Sequence, residues 1–157
     1  MTIKDSYPLP RIDDTLESLA GARCFSTLDL ASGYWQVGLS EDAKEKTAFA
    51  TSQGLFQFKV LPFGLCNAPS TFEILMERIL QGLRWQILLV YLDDVIVFSR
   101  TVEEHLQRLD TVFTKLEEAG LKLKPKKCHL FKREVVYLGH VVSQAGIATD
   151  PSKIEVI

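Results

Sequence analysis

Residues 88–99, LLVYLDDVIVFS, constrain the fold more than any other stretch of this chain. An apolar run of Leu88, Leu89, Val90, Tyr91 and Leu92 is broken by Asp93 and Asp94 and resumes as Val95, Ile96, Val97 and Phe98. Two β-rich segments around a two-residue polar break read as a hairpin. Aspartate tolerates turn backbone angles, so the pair can simply make the turn. The alternative is that the turn stands at the mouth of a site, where carboxylates held out of an apolar sheet bind a hard divalent cation.

The remaining segments supply the elements such a hairpin needs. Residues 1–12 read as extended, because Tyr7-Pro8-Leu9-Pro10 forbids a helix. Asp13 or Asp14 caps a short helix carrying Leu16, Leu19 and Ala20, which Gly21 stops. Cys24–Leu30 reads as a strand with Cys24, Ser26, Leu28 and Leu30 on one face and Phe25, Thr27 and Asp29 on the other. Trp35–Leu39, Thr47–Ala50 and Phe56–Val60 read as further strands, with a helical turn opening at Ser40 and a tight turn at Ser52-Gln53-Gly54. After a punctuated loop, Pro69 starts a helix whose stripe is Phe72, Leu75, Met76, Ile79, Leu80 and Leu83. Thr101-Val102-Glu103-Glu104 is a capping box opening a helix with Leu106, Leu109, Phe113 and Leu116 on one face, ending at Gly120. Leu121–Leu123, Cys128–Phe131, Val135–Leu138 and Val141–Ser143 read as short strands. The order predicts an α+β fold, an antiparallel sheet with helices packed on one face.

Composition narrows the classes. The chain is 46% hydrophobic and 24% charged, enough to bury a core at 157 residues. No run approaches the roughly 18 apolar residues of a membrane span, and the N-terminus does not resemble a signal peptide. Cys24, Cys66 and Cys128 are far apart and form no CxxC pair, so reduced thiols in an intracellular compartment are expected. Cys128-His129 has no second close ligand pair, which argues against zinc. A formal charge of −2 is not that of a generally basic chain. Residues 120–135, however, carry Lys122, Lys124, Lys126, Lys127, Lys132 and Arg133 against Glu134 alone, which is either a phosphate-facing patch or a solvated run.

Asp29 ends an otherwise apolar strand, where a carboxylate is costly unless exposed, paired or metal-bound. If that strand neighbours the hairpin, Asp29, Asp93 and Asp94 converge and repel one another unless cations sit among them. Two divalent ions about 3.5–4 Å apart would neutralise them and clamp the attacking and leaving oxygens of a phosphoryl transfer. Mg²⁺ suits a few carboxylates, waters and substrate phosphates.

Tyr91-Leu92-Asp93-Asp94 in an apolar hairpin resembles the YxDD signature of reverse transcriptases. Leu28-Asp29-Leu30-Ala31-Ser32-Gly33-Tyr34-Trp35-Gln36 and Leu61-Pro62-Phe63-Gly64-Leu65-Cys66-Asn67-Ala68-Pro69-Ser70-Thr71-Phe72 resemble two further palm motifs of that family, closest in wording to the gypsy class of long-terminal-repeat retrotransposons. Gly120–Cys128 and Tyr137-Leu138-Gly139-His140 match two more. The resemblance implies a polymerase palm with part of the fingers over residues 1–157, the fingers-like portion spanning about 37–68. It implies an RNA-directed DNA polymerase acting on a primer with an RNA or DNA template and dNTPs, with two Mg²⁺ ions for which Mn²⁺ can substitute. Asp29 and Asp93 would be the principal metal ligands and Asp94 a third. The backbone at Leu30, Ala31, Ser32 and Gly33 would lie along the triphosphate, and Tyr34 would block a ribose 2′-hydroxyl. Phe63 and Gly64 would border the incoming nucleotide; related retroviral enzymes have glutamine at the Phe63 position, so packing replaces hydrogen bonding there. Lys127, or its neighbour Lys126, would protonate the pyrophosphate leaving group. Leu138, Gly139 and His140 would grip the primer.

The resemblance further implies fingers strands before Thr2, and thumb, connection and ribonuclease H segments after Ile157, all in a larger polyprotein. A cytoplasmic retroelement particle or the nucleus is the expected location, without a membrane. The competing expectation is a catalytically inactive retroelement remnant that binds nucleic acid or another protein.

Overall fold

The computed structural model describes residue 4, residues 7–8 and residues 11–153. In chain order the elements are α1 (Ile12–Glu17), β1 (Cys24–Asp29), a 3₁₀ turn (Gly33–Gln36), α2 (Glu41–Lys46), β2 (Phe49–Thr51), β3 (Gly54–Phe56), α3 (Ala68–Ile79), β4 (Leu88–Tyr91), β5 (Asp94–Ser99), α4 (Val102–Glu118), a 3₁₀ turn (Pro125–Lys127), β6 (His129–Lys132), β7 (Glu134–Tyr137), β8 (His140–Ser143) and β9 (Gly146–Thr149). The main sheet has the order β4-β5-β1-β6, with every pair antiparallel. β2-β3 and β7-β8-β9 form two smaller sheets.

The period-two reading of β1 holds. Leu28 and its register partner Val95 face one cluster with Phe72, Met76 and Leu80 of α3 and its end, and with Leu109, Val112 and Leu116 of α4. Phe25 and its partner Phe98 face the opposite cluster with Leu16, Leu19, Val135, Tyr137 and Val142. The two long helices therefore cover one face of the sheet. The other face is covered by α1 and the β7-β8-β9 sheet, and Asp29 belongs to that second face by alternation.

Several local expectations change. α1 begins before Asp13 and Asp14: Arg11 is its N-cap and makes no side-chain cap bond, while both aspartates sit in the first turn, where the helix dipole favours them. The extended reading of 1–12 falls partly on Leu9 and Pro10, which lie outside the described residues; Tyr7 donates its hydroxyl hydrogen to Glu77. Trp35–Leu39 is not a strand. Ser32 adopts a left-handed conformation (φ 52°), the chain coils through Gly33–Gln36, and only Gly38 bridges Val60. β2 and β3 form a shorter hairpin than the sequence predicts, and Leu123 makes only an isolated bridge with Leu30. The capping box forms: the Glu104 amide donates to Thr101 Oγ1 and the Glu104 carboxylate accepts from the Arg100 amide. The buried face of α4 is rotated from the expected stripe. His105, Leu109, Val112 and Leu116 point inward, while Leu106 is 62% exposed. β9 is an additional strand.

Candidate functional site

β1 ends at Asp29 and β5 begins at Asp94, and the two are direct register partners. Residues opposite each other in an antiparallel pair project to the same face with Cβ atoms about 4.5–5.5 Å apart. Asp94 also closes the hairpin opposite Tyr91, so the two-residue turn is Leu92-Asp93 rather than the aspartate pair. Leu92 adopts φ 55°, which suits the first central position of the hairpin turn that follows strand twist.

Asp29 and Asp94 line a cavity of about 350 Å³ with Lys126, Lys127, Tyr137 and Leu138. The Lys127 Nζ lies 3.8 Å from Asp29 Oδ2. Burial pushes the Asp94 carboxyl above its ordinary range, the charges of Asp93 and Asp29 push it further, and Lys127 opposes them. The end of β1 is tied down from behind: the Lys124 amide donates to Asp29 O (2.8 Å) and the Ala31 amide to Lys122 O (2.9 Å). Gln36 locks the same junction. Its amide nitrogen donates to Ala31 O and Lys122 O, and its amide oxygen accepts from the Lys122 amide at 2.6 Å. Sequence reasoning gave Gln36 no role, because its partner lies 86 positions away.

Asp93, in the turn, also stands beside Gly33 and Tyr34. A Cβ on buried Gly33 would stand 3.3 Å from Asp93 Cβ and 3.1 Å from Phe72 Cζ, so a larger residue there would require the turn or the Phe72 ring to give by a few tenths of an ångström. Tyr34 packs against Phe63 (ring centroids 5.2 Å) and edge-on to Phe72 (5.4 Å). Burial, then the charge of Asp93, raises the pKa of its phenol. Phe63 is 60% exposed beside that ring and is followed by Gly64 at φ 87°. Leu30 is buried, whereas Ala31 and Ser32 form the bend before Gly33.

Leu138 and Gly139, at φ 50° and 74°, form the turn between β7 and β8, where Tyr137 pairs with His140. Tyr137 is buried and its hydroxyl donates to Asp94 O at 3.5 Å. Burial and neighbouring negative charges, Asp94 first, raise the Tyr137 phenol strongly. This turn therefore adjoins the carboxylates, with Leu138 on the cavity wall. The basic run does not form one patch. Lys126 and Lys127 stand at the carboxylate cavity, while Arg133 lines a separate cleft with Arg23 and Arg100 near the other end of β1.

The donor set suits a hard cation. Two carboxylates project from paired strand ends and a third is one residue away, all oxygen donors crowded by like charge. Among the described residues no three His, Cys, Asp or Glu side chains are gathered into a ready-made metal-binding group. Mg²⁺ does not require one, since it keeps waters and takes substrate phosphates alongside one or two carboxylates.

A residue that the sequence did not single out sits under the turn. Glu73 of α3 is fully buried. It accepts the Leu92 amide at 3.0 Å and pairs with Arg84 at 2.7 Å. Arg84 also binds Glu77 and donates to Val90 O at 3.2 Å.

A sequence profile described as "Reverse transcriptase (RNA-dependent DNA polymerase)" matches residues 1–142. The chain is 45% identical over 157 residues to the Retrovirus-related Pol polyprotein from transposon 297 of Drosophila melanogaster, covering all of this chain and 15% of that one. It is 42% identical over 156 residues to the Pol polyprotein from transposon gypsy of the same species, covering 99% of this chain and 15% of that one. Among solved structures, the foamy viral protease-reverse transcriptase in complex with RNA/DNA hybrid matches with a TM-score of 0.88 at 30% identity, over 99% of this chain and 21% of that one. The chain thus spans about 15% of the length of these curated relatives. Among the described residues no helix is long and apolar enough to cross a membrane.

Proposed function

The chain belongs to the reverse transcriptase family, and from that premise we propose that it is the palm, with part of the fingers over about residues 37–68, of an RNA-directed DNA polymerase of the gypsy class. The observation that carries this reading is the register pairing of Asp29 with Asp94 beside the turn that holds Asp93. Asp29, Asp93 and Asp94 would hold Mg²⁺, or Mn²⁺ in its place. When bound, the ions supply charge neutralisation for the substrate phosphates and for the reacting oxygens.

The chain's own residues supply positioning, which is most of what phosphoryl transfer asks of a protein. The bend at Leu30, Ala31, Ser32 and Gly33 offers backbone to the triphosphate, held in place by Gln36. Tyr34, wedged between Phe63 and Phe72, presents a rigid ring where a 2′-hydroxyl would sit, so a ribonucleotide is excluded by volume. The exposed ring of Phe63 and the neighbouring Gly64 form the surface on which a base pair can pack. Lys127 carries a proton at Nζ within reach of the Asp29 carboxylate, suited to neutralise or protonate a departing pyrophosphate. Leu138 borders the same cavity, and with Gly139 and His140 in the β7-β8 turn it suits the primer end. The partners are an RNA or DNA template with its primer, dNTPs, and the fingers, thumb and ribonuclease H segments of a Pol polyprotein, working in the cytoplasm or nucleus.

The test is primer extension by the chain joined to the flanking fingers, thumb and ribonuclease H segments of a related Pol polyprotein. Mg²⁺-dependent extension is expected, with nearly all of it lost in Asp93→Asn, and Tyr34→Ala should incorporate ribonucleotides. Extension that survives Asp93→Asn would refute the metal role. Absence of extension alongside intact template binding would favour the non-catalytic remnant.

A further inference from the structure

We propose that Glu73, held by Arg84, is a positioning residue that fixes the Leu92-Asp93 turn for cation binding by the neighbouring aspartates. The inference rests on the metal-binding reading above and adds to it a residue that touches neither metal nor substrate.

Three observations carry it. First, Glu73 is a fully buried carboxylate on the apolar side of α3, a position where a leucine would pack without desolvating a charge. Its two oxygens are fully used: Oε2 accepts the Leu92 amide and Oε1 accepts from Arg84 Nη2. Second, Leu92 holds a positive φ of 55°, a strained state for a branched side chain that persists only when its surroundings over-determine it. The Glu73 bond is made to the amide of that residue. Arg84 holds the strand leading into the turn through Val90 O, so the ion pair grips the hairpin at both residues flanking Tyr91. Third, the preceding residue of the same helix, Phe72, sets the other boundary of Asp93. Its ring lies 3.1 Å from where a Gly33 Cβ would be, and Asp93 Cβ lies 3.3 Å from the same point. Consecutive residues of α3 thus define where the turn sits relative to the bend after β1. Glu77 shares Arg84 and takes the Tyr7 hydroxyl, and among the described residues no hydrogen bond or ion pair joins it to the turn, which makes it the internal control.

The test compares the wild-type chain with Glu73→Gln, Glu77→Gln and the double variant Glu73→Leu/Arg84→Met. The double variant replaces the buried pair with apolar side chains of similar size, a change that folded proteins commonly tolerate. Two readouts are used: Mn²⁺ affinity by electron paramagnetic resonance, and hydrogen exchange at the Leu92 amide by NMR. The double variant should melt near the wild-type temperature, bind Mn²⁺ about 10- to 100-fold more weakly, as loss of an outer-shell partner does, and exchange the Leu92 amide at least about tenfold faster. Glu73→Gln keeps one oxygen for that amide but turns an NH2 toward the Arg84 guanidinium, so both readouts should fall between wild type and the double variant, and Glu77→Gln should leave both unchanged. The inference is overturned if the double variant matches wild type in both readouts or, where the double variant does not fold, if Glu73→Gln matches wild type in both. Failure of the metal reading looks different: wild type and Asp94→Asn would then show the same Mn²⁺ binding, or none.

Discussion

Acidification should weaken this fold through one buried histidine. His105 projects from α4 into the sheet and is fully buried with Ser26 and Ser99. Ser26 Oγ lies 2.7 Å from its Nε2 and Ser99 Oγ 2.8 Å from its Nδ1. The Phe131 amide donates to Ser26 Oγ, and the Ser99 hydroxyl donates to Thr101 O. Those two bonds assign the directions of the others. Nδ1 carries the hydrogen and donates to Ser99, and Nε2 accepts from Ser26, so the neutral ring is fully satisfied. A second proton on Nε2 would displace the Ser26 hydrogen from this acceptor. Burial lowers the His105 pKa, the Arg108 charge lowers it further, and Glu104 opposes both. Its folded pKa therefore lies below the unfolded value of about 6.5. Between the two values the unfolded chain binds one proton more than the native chain. Stability is then complete above about pH 6.5 and falls as pH drops toward the folded pKa, with a limiting slope of about 1.4 kcal/mol per pH unit for one proton. Urea unfolding between pH 8 and 5 for wild type and His105→Gln measures this directly. The raised pKa values of Glu73 and Asp94 act with the opposite sign at lower pH and cancel in the difference between the two proteins. That difference should be flat above about pH 7 and then decline, at no more than about 1.4 kcal/mol per pH unit; parallel curves throughout would refute the neutral-ring argument.

Three other outcomes follow from the packing around the site and along α4. Asp94→Asn removes a carboxylate that burial and two like charges disfavour, so in the absence of divalent ions it should stabilise the chain by about 0.5–2 kcal/mol by urea unfolding. Gly33→Ala brings a methyl to 3.1 Å from the fully buried Phe72 ring and 3.3 Å from Asp93 Cβ, and should lower stability by about 1–3 kcal/mol by the same assay. Leu109→Ala should cost about 2–5 kcal/mol, whereas Leu106→Ala should stay within about 0.5 kcal/mol, because the buried face of α4 runs through His105 and not through Leu106.

The parts legible in the sequence are those fixed by neighbours in the chain. The hairpin, the alternation along β1, Pro69 at the start of α3 and the Thr101 capping box each depend on residues within a few positions. What misled the reading was decided at a distance. His105 reads as a solvent-facing polar residue until Ser26, 79 positions away, arrives to bond it, and this turned the predicted face of α4 toward Leu106. Trp35–Leu39 has strand composition, yet the left-handed Ser32 and the grip of Gln36 on Lys122 coil it. Glu73 interrupts an apolar stripe and passes for a surface residue because nothing local announces Arg84 as its partner. β9 is too short and too weakly patterned to stand out. For the candidate site, spacing supplied three acids on two strand ends, and the wording of the motifs supplied the expectation that they meet.

Anomalous diffraction from crystals of the chain soaked in Mn²⁺ addresses that meeting most directly. A manganese peak shared by the carboxylate of Asp29 and at least one of Asp93 and Asp94 is the predicted result. Manganese bound at the hairpin with Asp29 turned away, or no peak near these residues at saturating metal, would contradict it.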